Sequence, residues 1–305
     1  LLYEMIHDSS VCYAMHTNFD SSPVGFRKHY VANMGLKDVI PMCLSDSAQA
    51  ELQKLVVYVP REHTDRVASA LFDAGCGYIG NYSCCSFRTE GTGTFIPLEG
   101  TRPWQGVQGK LEHASEHRLE LIIPATLSEK AVSAIKKVHP YEEVAYELYP
   151  LQNRDPRYAL GFIGSLDCSF SVRKHGVCGT NGYGVLQEFA RTVAARACSI
   201  KGFRVGGAEK PQGSIRRVAV VPGSGAKAIS EAASRGADVL VTADVKYYDY
   251  QLARDLGLGL VVLQHNSMEI PFVRIMGSLL REMLPGEPVH EYVCEEEAPF
   301  EEGVC

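Results

Sequence analysis

No stretch of this 305-residue chain approaches the roughly 18 consecutive apolar residues that a membrane helix needs, and its start lacks the basic region of a signal peptide. A cytoplasmic protein without a membrane partner is expected. An excess of positive charge is missing too. The net charge is −6, but residues 287–305 hold seven Glu and no Lys or Arg, which leaves the rest at about +1. Such a body carries no basic stripe to follow a phosphate backbone, so nucleic acid is not an expected partner, and the acidic end reads as a solvated terminus. Cys-x-x-Cys pairs are also absent among the ten cysteines, which argues against a zinc ribbon. With 46% hydrophobic residues a disulfide framework is unnecessary, and the cysteines read as reduced small hydrophobes, including the adjacent Cys84 and Cys85 in an extended run.

What is present is enough apolar sequence for a large core, at a length that favours two domains. Between Lys54 and Pro150 the chain repeats itself with an offset of 64 residues. Leu55-Val-Val-Tyr-Val-Pro60 is followed by Thr64-Asp65 and Ser69-Ala70-Leu71; Leu119-Glu-Leu-Ile-Ile-Pro124 is followed by Ser128-Glu129 and Ser133-Ala134-Ile135. Each half reads strand, helix, strand, with Thr64 and Ser128 as helix caps and the next acid favouring the positive helix end. Two such halves give a ferredoxin-like β-α-β-β-α-β domain over residues 53–150. Its middle, Glu90 to Gly100, is too rich in Gly and Pro for a central strand and reads as a long loop after an edge strand. Pro97, Trp104 and the insert's Tyr and Phe residues are apolar groups that suggest self-association.

The flanks have another rhythm. From Arg217 onward the pattern predicts strand (217–221), a Gly223-Ser-Gly225 turn, helix (226–235), strand (238–242), helix (247–256), strand (258–263) and helix (270–284). Apolar strands alternating with helices predict a parallel sheet covered on both faces. Val11 to Met15 reads as one more short strand, preceded by a helix over Leu1 to His7. The expected class is α/β: a discontinuous core, residues 1–52 and 151–305, interrupted by the inserted α+β domain. A chain that opens at Leu1 inside a helix reads as N-terminally truncated.

In open α/β sheets, ligands bind beyond the carboxyl ends of the strands. Three predicted strands deliver polar residues there: His16 and Asp20, then Asp244, then His265 with Glu269. A His and a Glu four apart on a helix project to one side and can share a cation, and adding Asp20 gives a mixed nitrogen and oxygen set that suits zinc, iron or manganese. Plainer uses remain open. Glu269 could favour a helix N-terminus, His265 could be a hydrogen-bonded buried histidine, and His16 and Asp20 could shape a turn. Gly223-Ser-Gly225-Ala-Lys-Ala228, with Asp244 21 residues after Gly223, also fits a dinucleotide-binding pattern.

Six motifs in order carry a resemblance: His16-Thr-Asn-Phe-Asp20, Gly91-Thr-Gly-Thr-Phe95, His139-Pro-Tyr-Glu-Glu-Val144, Gly223-Ser-Gly225, Thr242-Ala-Asp244 with Lys246-Tyr247, and His265-x-x-x-Glu269. Over nearly the whole chain this resembles the dinuclear metal-centre hexameric proteins related to the Ngg-interacting factor three, often labelled GTP cyclohydrolase type-two homologues. The resemblance implies a PII-like insert, a toroidal hexamer, and metal ligands at Asp20, His265 and Glu269. It also implies two divalent cations per subunit in the complete protein, two further ligands coming from an N-terminal His-His-Pro that this chain does not contain. The expected activity is metal-dependent hydrolysis of a nucleotide such as GTP, with His16 and Asp244 as outer or acid/base residues. The alternative is a non-catalytic metal-binding scaffold whose insert senses a small molecule.

Overall fold

The computed structural model describes residues 2–44, 50–170, 183–198, 202–209 and 214–293; Cys178, Cys294, Cys305 and the acidic stretch from 294 onward lie outside them. The chain divides into two compact units, residues 46–156 and the two flanking segments together. The expected bounds of 53 and 150 fall inside strands, since β2 spans Glu51–Pro60 and β5 spans Tyr146–Arg154.

The unit of residues 46–156 follows the repeat. β2, α4 (Thr64–Asp73) and β3 (Phe87–Phe95) form one half, and β4 (Glu112–Pro124), α5 (Ser128–Val138) and β5 the other. The strands lie in the order β3-β4-β2-β5, all antiparallel, which is the ferredoxin-like arrangement. Leu55, Val57 and Val59 of β2 and Leu119, Leu121 and Ile123 of β4 alternate onto one face, where Val67 and Leu71 of α4 and Ile135 of α5 close over them. Two local expectations fail. Glu90 to Phe95 is not loop but the body of edge strand β3, because an edge strand tolerates Gly91 and Gly93 where a central one would not. Thr64 and Ser128 are not caps, because short 3₁₀ turns, Arg61–His63 and Ala125–Leu127, precede both helices. The Ser128 hydroxyl donates instead to Ala125 O and Gln53 Oε1, and Thr64 Oγ1 meets His117 Nδ1 at 2.9 Å. Pro97 is buried, whereas Ile96, Leu98, Trp104, Val107 and Leu111 are exposed. Cys84 is exposed in a left-handed conformation, not in an extended run.

The flanking unit contains α1 (Leu2–His7), α2 (Thr17–Asp20), α3 (Phe26–Met34), β1 (Leu36–Leu44), β6 (Ala159–Phe170), α6 (Gly184–Val193) and β7 (Phe203–Gly207). It continues with β8 (Ile215–Ser224), α7 (Ile229–Ser234), β9 (Val239–Ala243), α8 (Tyr247–Asp255), β10 (Gly259–Leu263), α9 (His265–Glu269) and α10 (Pro271–Met283). The sheet order is β1-β6-β8-β9-β10-β7. The expectation of a parallel sheet holds only for β8, β9 and β10; β6, β1 and β7 join antiparallel, so the sheet is mixed. A crossover helix separates each parallel pair, α7 and then α8, whereas β7 meets β10 without belonging to that alternation. Both faces are covered as the apolar runs required: Val218, Val220, Val239, Val241 and Val261 face α3 and α6, while Ala219, Val221, Leu240 and Leu260 face α7 and α8. Residues 11–15 are no strand. They are irregular and exposed, Val11 by 92%, because no sheet edge receives them. Among the described residues no helix is long and apolar enough to cross a membrane.

Candidate functional site

Strands β9 and β10 are buried along their whole lengths, and the first polar groups after them meet. Asp244 follows β9 in a left-handed conformation (φ 52°), a region that Asp tolerates better than most side chains. After β10, Gln264 opens α9, which places His265 and Glu269 one helical turn apart. His265 Nδ1 is hydrogen-bonded to Asp244 Oδ2, and its Nε2 lies 2.9 Å from Glu269 Oε1. A ring with a carboxylate at each nitrogen is held best as the imidazolium, donating at both ends. Burial pulls the His265 pKa down, but the Asp244 hydrogen bond and the charges of Glu269 and Asp244 outweigh it, and the pKa is raised.

Asp20 reaches the same place from the N-terminal segment. Phe19, 3% exposed, stacks edge-on against Phe26 at 5.2 Å and Phe272 at 4.8 Å, which pins the short α2. Its neighbour Asp20 has its pKa pushed up to about 6, by burial first and then by Glu269, while His16 and His265 pull the other way. One ligating atom each from His16, Asp20 and Glu269 lie within 4.8 Å of one another. That trio differs from the expected ligand set. It contains His16, expected in an outer role, and His265 stands beside it between Asp244 and Glu269.

Gly223 and Gly225 serve this arrangement. At φ 70° Gly223 approaches so closely that a Cβ would lie 3.2 Å from His265 Nε2 and 3.4 Å from Glu269 Oε1. Thr242 Oγ1 donates to Gly223 O at 3.0 Å, and a Cβ on Gly225 would overlap that hydroxyl. The close approach that glycines permit is thus made to side chains of the site, and Asp244 is engaged with His265. Neither feature favours the dinucleotide pattern.

Sequence reasoning missed Tyr30. It is fully buried, and its hydroxyl donates to Met268 O at 2.9 Å, which holds α9 from inside the core. Phe26, Tyr30 and Met34, spaced by four on α3, are the signal that could have found it.

The sequence profile of the Duf34/NIF3 (NGG1p interacting factor 3) family matches residues 1–298. This chain belongs to that family. It is 42% identical over 264 residues to a GTP cyclohydrolase 1 type 2 homolog of Halalkalibacterium halodurans, and 37% identical over 265 residues to one of Bacillus subtilis. Each alignment covers 87% of this chain, and the chain spans only 66% and 65% of those relatives' lengths. A crystal structure of a Bacillus cereus protein related to NIF3 superposes with a TM-score of 0.72 at 38% identity, over 92% of this chain and 70% of that one.

Proposed function

We propose that this family member holds a divalent cation at His16, Asp20 and Glu269, with His265 alongside, and that the complete protein is a metal-dependent hydrolase acting on a nucleotide. The observation that carries it is the convergence of three candidate ligand atoms within 4.8 Å. The donor chemistry fits. Burial first, and then the charge of Glu269, raises the Asp20 pKa, and a cation between the two carboxylates would offset both. One imidazole and two carboxylates suit zinc, iron or manganese. A divalent cation there supplies Lewis acidity toward a substrate oxygen. The chain's own residues do the rest. Asp244 fixes the His265 ring through Nδ1, and loss of the proton at Nε2 frees that nitrogen beside Glu269. Gly223 keeps side-chain bulk away from both groups.

The relatives' name, GTP cyclohydrolase 1 type 2 homolog, makes GTP the first substrate to assay. Family resemblance adds a second cation, a PII-like insert and hexameric assembly to the proposal for the complete protein, and sedimentation of that protein tests the assembly. Metal analysis after mild chelation and reloading with zinc or manganese tests the site. Glu269→Gln and Asp20→Asn are each expected to weaken binding at least about tenfold, as loss of a charged ligand does; unchanged binding by both overturns the site. Turnover of GTP that requires the reloaded metal supports the hydrolase. Retained metal without turnover of GTP or related nucleotides supports the regulatory scaffold instead.

A further inference from the structure

Along β4, Glu112, Glu116 and Glu120 are spaced by four residues and so share one side of the sheet, the side opposite Leu119, Leu121 and Ile123. Their partners differ. Glu120 is paired with Arg118 and, at 3.5 Å, with Lys54. Glu116 is only 7% exposed, and among the described residues its one hydrogen bond comes from the Tyr141 hydroxyl at 2.9 Å, with no ion pair. A buried carboxylate held by a single neutral donor retains much of its desolvation penalty. A cation is the complement that such a carboxylate takes.

The groups beside it are suited to supply a seat for that charge. The Tyr141 ring is the hub of an aromatic cluster, with centroids of Trp104 and Phe95 at 6.0 Å and of His139 at 5.1 Å. Trp104 is also edge-on to His63 at 5.3 Å and remains 43% exposed. The Tyr141 hydroxyl has its pKa pushed up by burial and by Glu116, Glu62 and Glu112, so the strongest charges acting on it are all carboxylates. Gly93 and Gly106 let the backbone close on this acidic face: a Cβ on the first would overlap Glu116 Oε2, and one on the second would lie 3.2 Å from Glu112 Oε2. Among the described residues no trio of metal-ligating atoms gathers here, which favours an organic cation over a metal ion.

We propose that Trp104, Tyr141 and Glu116 form a binding site for a small organic cation of the alkylammonium or guanidinium class. The cation lies against the exposed indole by a cation–π contact and directs its charge toward Glu116. This site uses none of the residues of the proposed metal centre and stands or falls separately from it.

Trp104 is the single tryptophan of the chain, so its emission reports this site alone. The full chain is titrated with tetramethylammonium chloride and with methylguanidinium chloride. Sodium chloride at equal ionic strength and neutral tert-butanol serve as controls. A saturable emission change with at least one of the two cations and with neither control is expected. Glu116→Gln keeps an acceptor for Tyr141 but removes the charge, and is expected to weaken binding about tenfold or more. Glu120→Gln, at an already paired position, is expected to leave it unchanged. A non-saturating change shared by the controls overturns the proposal, as does wild-type affinity in Glu116→Gln. Should Glu116→Gln lose its fold by circular dichroism, Trp104→Leu read by calorimetry replaces it: a similar loss of affinity supports the site, and undiminished binding overturns it.

Discussion

In residues 46–156 both helices cover one face of an antiparallel sheet, whereas the flanking unit sandwiches a mixed sheet between helices on both faces. Antiparallel strands end at alternate edges, so no edge collects residues from successive strands. Parallel strands β8, β9 and β10 all end at one edge, and there Gly223, Asp244, His265 and Glu269 meet. In the flanking unit, topology gathers the reactive groups. In the other unit Glu116, bonded to the Tyr141 hydroxyl, sits within a strand on the face away from the helices, a place set by the alternation along β4 and not by a sheet edge. The difference teaches that strand direction decides where a fold can assemble a multi-residue site.

The contrast breaks most visibly if the units do not fold separately. All the residues of the core over the antiparallel sheet come from its own segment, so residues 46–156 expressed alone are expected to unfold cooperatively and resist protease. A protease-sensitive product without a cooperative transition would refute this. A pair of core truncations sharpens the same division in the full chain. Leu71→Ala is expected to cost about 2–5 kcal/mol in the insert and to leave metal binding intact. Phe19→Ala is expected to cost about 3–5 kcal/mol in the flanking unit and to abolish metal binding, because Asp20 follows that anchor directly. Hydrogen exchange resolved by segment reads both; equal destabilisation of both units by either variant contradicts independence.

How much of this was legible in the sequence divides along the same line. The 64-residue offset shows in the structure to the residue, since α4 begins at Thr64 and α5 at Ser128. Periodicity and self-similarity are local properties, and they carried β2, β4, α4, α5 and the central parallel strands. Edge strand β3 was hidden because its glycines mimic loop composition, and the caps were misread because a 3₁₀ turn takes over the work of an N-cap side chain. At the site, the carboxyl-edge rule brings Asp244, His265 and Glu269 together because it is topological, whereas His16 and Asp20 arrive with the short helix α2, which no strand precedes among the described residues. That an atom of His16 joins those of Asp20 and Glu269 within 4.8 Å was not legible. Nor was the capture of His265 Nδ1 by Asp244, which no spacing along the chain encodes.

A smaller effect is expected at Tyr30. Tyr30→Phe removes the buried hydrogen bond to Met268 O and the longer one, 3.5 Å, with Cys198 Sγ, at a cost of about 1–3 kcal/mol. If Tyr30 positions α9, metal affinity falls in proportion beyond what the stability loss explains, while the insert's exchange rates stay unchanged. Restored affinity after a compensating stabilising mutation elsewhere would show that Tyr30 only supports the core.

The smallest expected effect, partly screened by solvent, is a difference in sign between the two units in their response to acid. In the metal-free chain Asp20 has a folded pKa of about 6 against its ordinary 3.8, so the folded state binds more protons over that interval. Its contribution is present below 3.8 and is lost as pH rises through about 6; acidification therefore favours the flanking unit. His265, also raised, acts in the same direction. His139 in the insert does the reverse. Its Nε2 donates to Tyr58 O at 3.0 Å and its Nδ1 accepts from Tyr141 N at 3.1 Å, which fixes the neutral ring, and burial lowers its pKa. Protonation at Nδ1 would break the second bond, so the insert is expected to lose stability as pH falls below the ordinary 6.5. Exchange protection measured between pH 7 and 5 with chelator present should fall in residues 46–156 and hold or rise around Asp20 and Glu269. His139→Gln, which keeps a donor and an acceptor without the titration, should flatten the insert's slope and leave the other unit's slope as it was. Slopes of the same sign in both units, or an insert slope that survives His139→Gln, would show that these groups do not govern the response.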